Sequence, residues 1–210
     1  MIVNGNFYRE WEYKGHVYGE CMSQPGTDLM YVHIPKNASS WTKPNLRDFG
    51  WEFFNYRTDH LDKHAIVVLR DPVDRWLSGI AEYMYLYHRN IDFAFVGRAF
   101  FDLVFDRITF DDHTEHQVKF IDGLDTNKCT FFMCGKDYAE NFGRYIEELY
   151  GPNRYASYAP QHVSELSDDR RRFKKIFQQQ LTNSKYLEQI KNHFAADYQL
   201  IDSVQFYGTR

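Results

Sequence analysis

Leu29-Met-Tyr-Val-His-Ile-Pro-Lys-Asn-Ala-Ser-Ser-Trp41 and Ala65-Ile-Val-Val-Leu-Arg-Asp-Pro-Val-Asp-Arg-Trp-Leu-Ser-Gly79 decide the fold. Each reads as an apolar strand that breaks into a polar turn and then into a helix. In an open α/β sheet the ligand crevice lies at the carboxyl ends of the strands, so the first turn sets Lys36, Ser39 and Ser40 there, at a helix N-terminus. That is a place for an anion. The second turn sets Arg70 at the end of a neighbouring strand and Ser78 two turns into the next helix, a second anion-seeking pair some distance from the first. One ligand with two separated phosphate-like groups satisfies both.

Outward from these segments, the pattern predicts an α/β fold with a mainly parallel sheet flanked by helices, in a single domain over residues 1–210. Strands are expected at about 30–34, 53–56, 65–69 and 129–133. The unbroken apolar run at 65–69 is what a sheet covered on both faces requires. Helices are expected at about 39–49, with Pro44 near its first turn or kinking it, and from Pro72 onward. The second helix carries Trp76, Leu77, Ile80, Tyr83, Met84 and Tyr87 at core spacing. Further helices are expected at 93–108, at 138–150 ended by Gly151-Pro152, and at 168–179 and 184–203. Residues 1–28 alternate aromatic residues with glycine and read as a hairpin or an irregular lead-in.

The formal net charge of −4 gives no general basic field, which disfavours a nucleic-acid partner held by phosphate neutralisation. The run Arg170-Arg171-Arg172-Phe173-Lys174-Lys175 is read as a solvated helix face. No apolar run reaches the roughly twenty residues of a membrane span, and the N-terminus has no charged-then-apolar signal segment. A soluble, cytoplasmic chain without a membrane partner is therefore expected. Cys21, Cys129 and Cys134 cannot all pair and lack zinc spacing, so reduced thiols are the default, with a Cys129 to Cys134 bridge left open.

The quoted residues resemble the sulfotransferases that use 3′-phosphoadenosine 5′-phosphosulfate (PAPS), in particular their carbohydrate branch. One match is Pro35-Lys36-Asn37-Ala38-Ser39-Ser40 after a strand. The other is Arg70-Asp71-Pro72 with Arg75, and Ser78 eight residues after Arg70. A C-terminal Asp197-Tyr198-Gln199-Leu200 is similar to the ending of many members, so the resemblance spans about residues 29–201. It implies a P-loop nucleotide-binding fold of the sulfotransferase type. By resemblance, Lys36, Asn37, Ala38, Ser39, Ser40 and Trp41 hold the 5′-phosphosulfate, and Arg70 with Ser78 holds the 3′-phosphate. The implied activity moves a sulfuryl group from PAPS to a hydroxyl, foremost of a saccharide. Golgi-resident members carry an N-terminal anchor with no counterpart here, so the resemblance implies either a trimmed catalytic domain or a bacterial or phage protein, and Met1 favours the second.

Sulfuryl transfer, like phosphoryl transfer, is mostly positioning and charge stabilisation around an in-line displacement. Lys36 is the natural cation to follow charge onto the bridging oxygen. For the base, the segment Asp111-Asp112-His113-Thr114-Glu115-His116-Gln117 is the best candidate. It matches a family frame of His, an aromatic, any residue, Pro and Gln at His113 and Gln117, and departs from it at Thr114 and His116. His113 and His116 are both candidates, with Asp111 or Asp112 as orienting groups. Glu115, Glu52, Asp48 and His60 are weaker ones. His33 reads as structural, and His162 falls where relatives approach the nucleotide. A kinase-like phosphotransferase is the rival enzyme, but no Gly-x-x-x-x-Gly-Lys-Ser/Thr occurs and no magnesium-binding serine is evident, so no metal is expected. A catalytically inactive module that binds the nucleotide or a glycan is the reading from another class.

Overall fold

The computed structural model describes residues 20–54, 61–93, 96–152 and 167–208. Five strands, β1 (Cys21–Ser23), β2 (Leu29–Val32), β3 (Glu52–Phe54), β4 (His64–Leu69) and β5 (Cys129–Met133), form a sheet in the order β3-β1-β2-β4-β5. β2, β4 and β5 run parallel, while β1 pairs antiparallel with both β2 and β3. The sheet is mixed, not mainly parallel. The cause is local: β1 and β2 are joined by a short turn containing Gly26 at φ 75°, and so short a connection can only reverse the chain. The stretch whose alternation suggested a hairpin or irregular lead-in, within residues 1–19, lies outside the described residues.

Alternation along the strands covers both faces. Met30, Val32, Ala65, Val67, Leu69 and Phe131 pack with Phe120 and Ile121, while Tyr31, Ile66, Val68 and Phe132 pack against Leu46, Trp51, Phe142 and Ile146. That two-sided cover is why β4 reads as an unbroken apolar run.

The helices are α1 (Ser39–Asp48), α2 (Pro72–His88), α3 (Arg98–Arg107), α4 (Tyr138–Tyr150), α5 (Asp168–Gln180), α6 (Ser184–His193) and α7 (Ala195–Ser203). Pro44 lies inside α1. The helix expected at 93–108 starts only at Arg98, behind an extended Gly97. The long C-terminal helix is two, broken at Phe194 (φ −92°, ψ 23°), whose ring is buried in the aromatic cluster of α2, α3, α5 and α6. Tyr87, expected in the core, is 43% exposed and leans on Tyr83 at the end of α2. All three cysteines are free thiols, so the Cys129 to Cys134 bridge is not formed. Among the described residues no helix is long and apolar enough to cross a membrane.

The topology sets where the connections diverge. From β2 the chain leaves through α1 to β3 at one edge of the sheet, and from β4 it leaves through α2 toward β5 at the other. The carboxyl ends of β2 and β4 therefore flank the point where the connections diverge, the crevice of an open α/β sheet.

Candidate functional site

Two residues in the turn after β2 sit in the left-handed region without being glycine, Lys36 at φ 70° and Ala38 at φ 57°. Each costs roughly 1–2 kcal/mol relative to ordinary backbone. Ala38 is the N-cap of α1 and offers no capping side chain. Its carbonyl accepts from Trp41 and Thr42, yet among the described residues the N–H groups of Ala38, Ser39 and Ser40 have no protein acceptor. Strained backbone that presents open N–H groups at a helix start suits an anion. The Trp41 ring instead meets Tyr138 and Phe142 of α4 edge-on, so the indole serves the core beneath the turn.

The turn is held by buried polar groups from three directions. Asn37 is fully buried and its Nδ2 donates to the Val68 carbonyl and to Gln117 Oε1, both at 2.7 Å. Gln117 closes on Arg70, accepting from its N–H at 3.0 Å and donating to its carbonyl at 2.8 Å. Asp197 of α7 in turn accepts from the N–H groups of Gln117 and Val118 at 2.9 and 3.0 Å. Arg75, buried in α2, donates to three main-chain carbonyls: Pro35 at 3.0 Å, Asp112 at 3.0 Å, and Glu115. Burial pulls its pKa down to about 10, which leaves the guanidinium charged at neutral pH.

The second turn lies against the first. Arg70 Nη1 donates to the Lys36 carbonyl at 3.0 Å, so the two expected anion points abut, where the sequence suggested a separation. Ser78 lies further along α2 and its hydroxyl donates to the Asp74 carbonyl of its own helix at 3.0 Å. Glu82, one turn beyond Ser78, accepts from Lys36 Nζ at 2.7 Å and from the Arg170 fork at 2.9 and 2.6 Å. These two cations hold its carboxyl below the usual range, against the upward pull of burial. Arg170 also lies over the Tyr85 ring, 3.8 Å from its centroid. Glu82 was not singled out in the sequence, and Arg170 was read only as part of a solvated basic face. The available signal was a polar stripe, Asp71, Arg75, Ser78 and Glu82, at the spacing of one helix face.

The candidate base loop follows α3 through Ile108, a β-branched residue at φ 61°, ψ −53°, with Thr109 N–H returning to the Arg107 carbonyl at 2.7 Å. That is a strained three-residue turn. Thr114 is buried and accepts from the N–H groups of Phe110 and Asp111. His113 Nδ1 stands 3.0 Å from both Asp111 Oδ2 and Asp112 Oδ1. Hydrogen bonds and charge from these carboxylates outweigh burial and raise its pKa to about 9. His113 is thus an imidazolium at neutral pH and not a ready base. The sequence supplied both aspartates but could not show that they grip the same nitrogen. The three side chains could gather a metal ion, but their contacts are already explained by this ion-paired hydrogen-bond group. His116 points elsewhere, its ring tilted against those of His193 and Phe194 with centroids 4.5 and 5.0 Å away, and its pKa is lowered chiefly by burial.

The remaining candidates separate cleanly. Glu115 is buried and accepts from His116 N–H and Lys119. Asp48 ends α1, and Glu52 starts β3, an edge strand separated from β2 by β1. His33 lies 3.4 Å from Glu20, with its pKa lowered to about 4 by burial and by Lys43. His60 and His162 fall outside the described residues.

Gly79 lets the base loop approach α2. A Cβ there would stand 2.1 Å from the His113 carbonyl oxygen and 2.7 Å from its carbon. Helix propensity alone predicts that Gly79→Ala stabilises by about 1 kcal/mol. The clash with main chain reverses the sign, and a loss of about 1–3 kcal/mol is expected in denaturant unfolding. A gain would show that the loop yields freely.

Histidine linkage gives a second expectation. His113 is raised from 6.5 to about 9, so its stabilisation is complete below pH 6.5 and is lost as pH rises through about 9. His33 and His193 are lowered to about 4, so their neutral forms stabilise above pH 6.5 and that contribution is lost as pH falls toward 4. Thermal midpoints should peak near pH 6.5, and His113→Gln should flatten the alkaline fall. An unchanged alkaline limb would refute the double carboxylate contact.

Comparison of the chain with models of protein families, with curated proteins and with solved structures found no match. The chemistry rests on the site itself, which gathers open N–H groups, Lys36 and Arg70 at the switch point, backed by the Glu82–Arg170 pair.

Proposed function

We propose that the protein transfers a sulfuryl group from PAPS to a hydroxyl, foremost of a saccharide. The observation that carries this reading is the juxtaposition of the two turns: N–H groups of Ala38, Ser39 and Ser40 with no acceptor among the described residues, beside Lys36 and Arg70, at the divergence of β2 and β4. The donor would supply an activated sulfuryl group and a phosphate leaving group. The N–H groups and Lys36 would bind the phosphosulfate end, and Arg70 the 3′-phosphate. Lys36 Nζ, held on Glu82 at 2.7 Å, would neutralise charge as it gathers on the leaving oxygen. His113 would serve as base only once its proton is gone, so turnover by this route should climb toward pH 9.

The inactive binding module stays as the second reading because Lys36 is already ion-paired and His113 already protonated. Thermal-shift titration with adenosine 3′,5′-bisphosphate, beside ADP and AMP, tests the shared premise. At about a hundred times the dissociation constant, a shift of roughly 5–10 °C is expected for the 3′-phosphorylated ligand. No shift would overturn the transferase and the nucleotide-binding module, and leave only a module that binds a glycan. A shift without sulfate transfer to any of a panel of saccharides would favour the module.

A further inference from the structure

The basic run of α5 divides by helical phase. Phe173 and Phe177 are buried in the aromatic cluster with α2, and Arg170 and Lys174 flank them on the same face, half-buried, while Arg171, Arg172 and Lys175 are exposed. The reading of a solvated face therefore holds for three of these cations and fails for two. Arg170 is neutralised by Glu82. Lys174 lies one turn further along, and among the described residues no carboxylate approaches it to ion-pair distance. Burial, Arg70 and Lys36 lower its ammonium pKa, and Asp74 offsets them only in part. Arg70 itself makes one side-chain hydrogen bond, to the Lys36 carbonyl, and no ion pair among the described residues. A half-buried cation held beside two like charges favours the arrival of an anion.

We propose that Lys174 and Arg70 together bind the second phosphate of a nucleoside 3′,5′-bisphosphate, so that α5 supplies an attachment point beyond the two turns. This rests on the sulfuryl-donor reading above. The test is calorimetric titration of adenosine 3′,5′-bisphosphate and of AMP into the native chain, Lys174→Gln, Lys174→Arg and the exposed control Arg172→Gln. Lys174→Gln should weaken the bisphosphate by about tenfold or more, because one charge-assisted contact is lost, and should leave AMP unchanged. Lys174→Arg should restore most of the affinity, and Arg172→Gln should do nothing. Without ligand, Lys174→Gln should melt no lower than the native chain, since it relieves like-charge repulsion; a structural lysine would give the opposite. Undiminished bisphosphate affinity in Lys174→Gln overturns the inference alone, as does an equal loss for AMP. Failure of the native chain to bind the bisphosphate removes the donor reading and this inference with it.

Discussion

Arg75→Met is expected to destabilise the fold by about 3–5 kcal/mol, the range for stripping one partner from a buried charged contact, and to lower the thermal midpoint by roughly 10 °C. The side chain spans the molecule's main junction: one guanidinium holds the Pro35 carbonyl of the anion turn and the Asp112 and Glu115 carbonyls of the histidine loop. Replacing a buried charge by an apolar side chain can be neutral when its partners are replaced as well. Here the partners are main-chain carbonyls that no substitution removes, and each one left dry costs about 1–3 kcal/mol. Methionine conserves much of the stem, so the loss reports the guanidinium and not a cavity. An ammonium in place of the guanidinium fork would reach fewer of these acceptors, and Arg75→Lys should recover only part of the loss. Urea midpoints of the two variants decide the matter. A change below about 1 kcal/mol in Arg75→Met would mean that water replaces the guanidinium, and that the two loops are held chiefly by Asn37 and Gln117.

What was legible in the sequence was the part governed by local pattern. The core of β4, all of β5, the start of α2 and the bounds of α4 follow from apolar runs, Pro72 and Gly151, each acting within a few residues. The antiparallel β1 was less visible, because three residues carry too little periodicity to announce a strand. The break at Phe194 was hidden for a different reason: no glycine or proline marks it, and the turn is set by where the ring is buried and by what Asp197 caps. At the site, the sequence supplied the residues but not their partners. Lys36 and Arg70 were recognisable by position after strands, whereas Glu82 meets Lys36 only through the packing of α2 on the first turn, and Arg170 meets Glu82 only because α2 and α5 pack together. His113 was read with an ordinary imidazole pKa; the tertiary fact that both neighbouring carboxylates reach one nitrogen changes its protonation state, and with it its role.

Lys36→Met is expected to lower sulfuryl transfer about a thousandfold, the upper range for removing one group aimed at developing charge, with little change in stability. The two parts of that expectation come from the same ion-pair geometry. Glu82 keeps both hydrogen bonds of the Arg170 fork when Lys36 is lost, so its carboxylate stays neutralised and the fold loses only one arm of a three-membered network. The left-handed turn is also kept, because Arg70, Arg75 and Asn37 hold it through groups other than the Lys36 ammonium. Affinity for adenosine 3′,5′-bisphosphate should fall far less than turnover, since the N–H groups of Ala38, Ser39 and Ser40, which have no acceptor among the described residues, do not depend on the Lys36 ammonium to meet its 5′-phosphate. Initial rates with PAPS and a sulfate-accepting saccharide, set beside calorimetric affinities, separate the outcomes. A large loss of turnover with retained binding assigns the ammonium to the reacting oxygen. Equal losses in both would make Lys36 a binding residue only, and undiminished turnover would remove it from the mechanism.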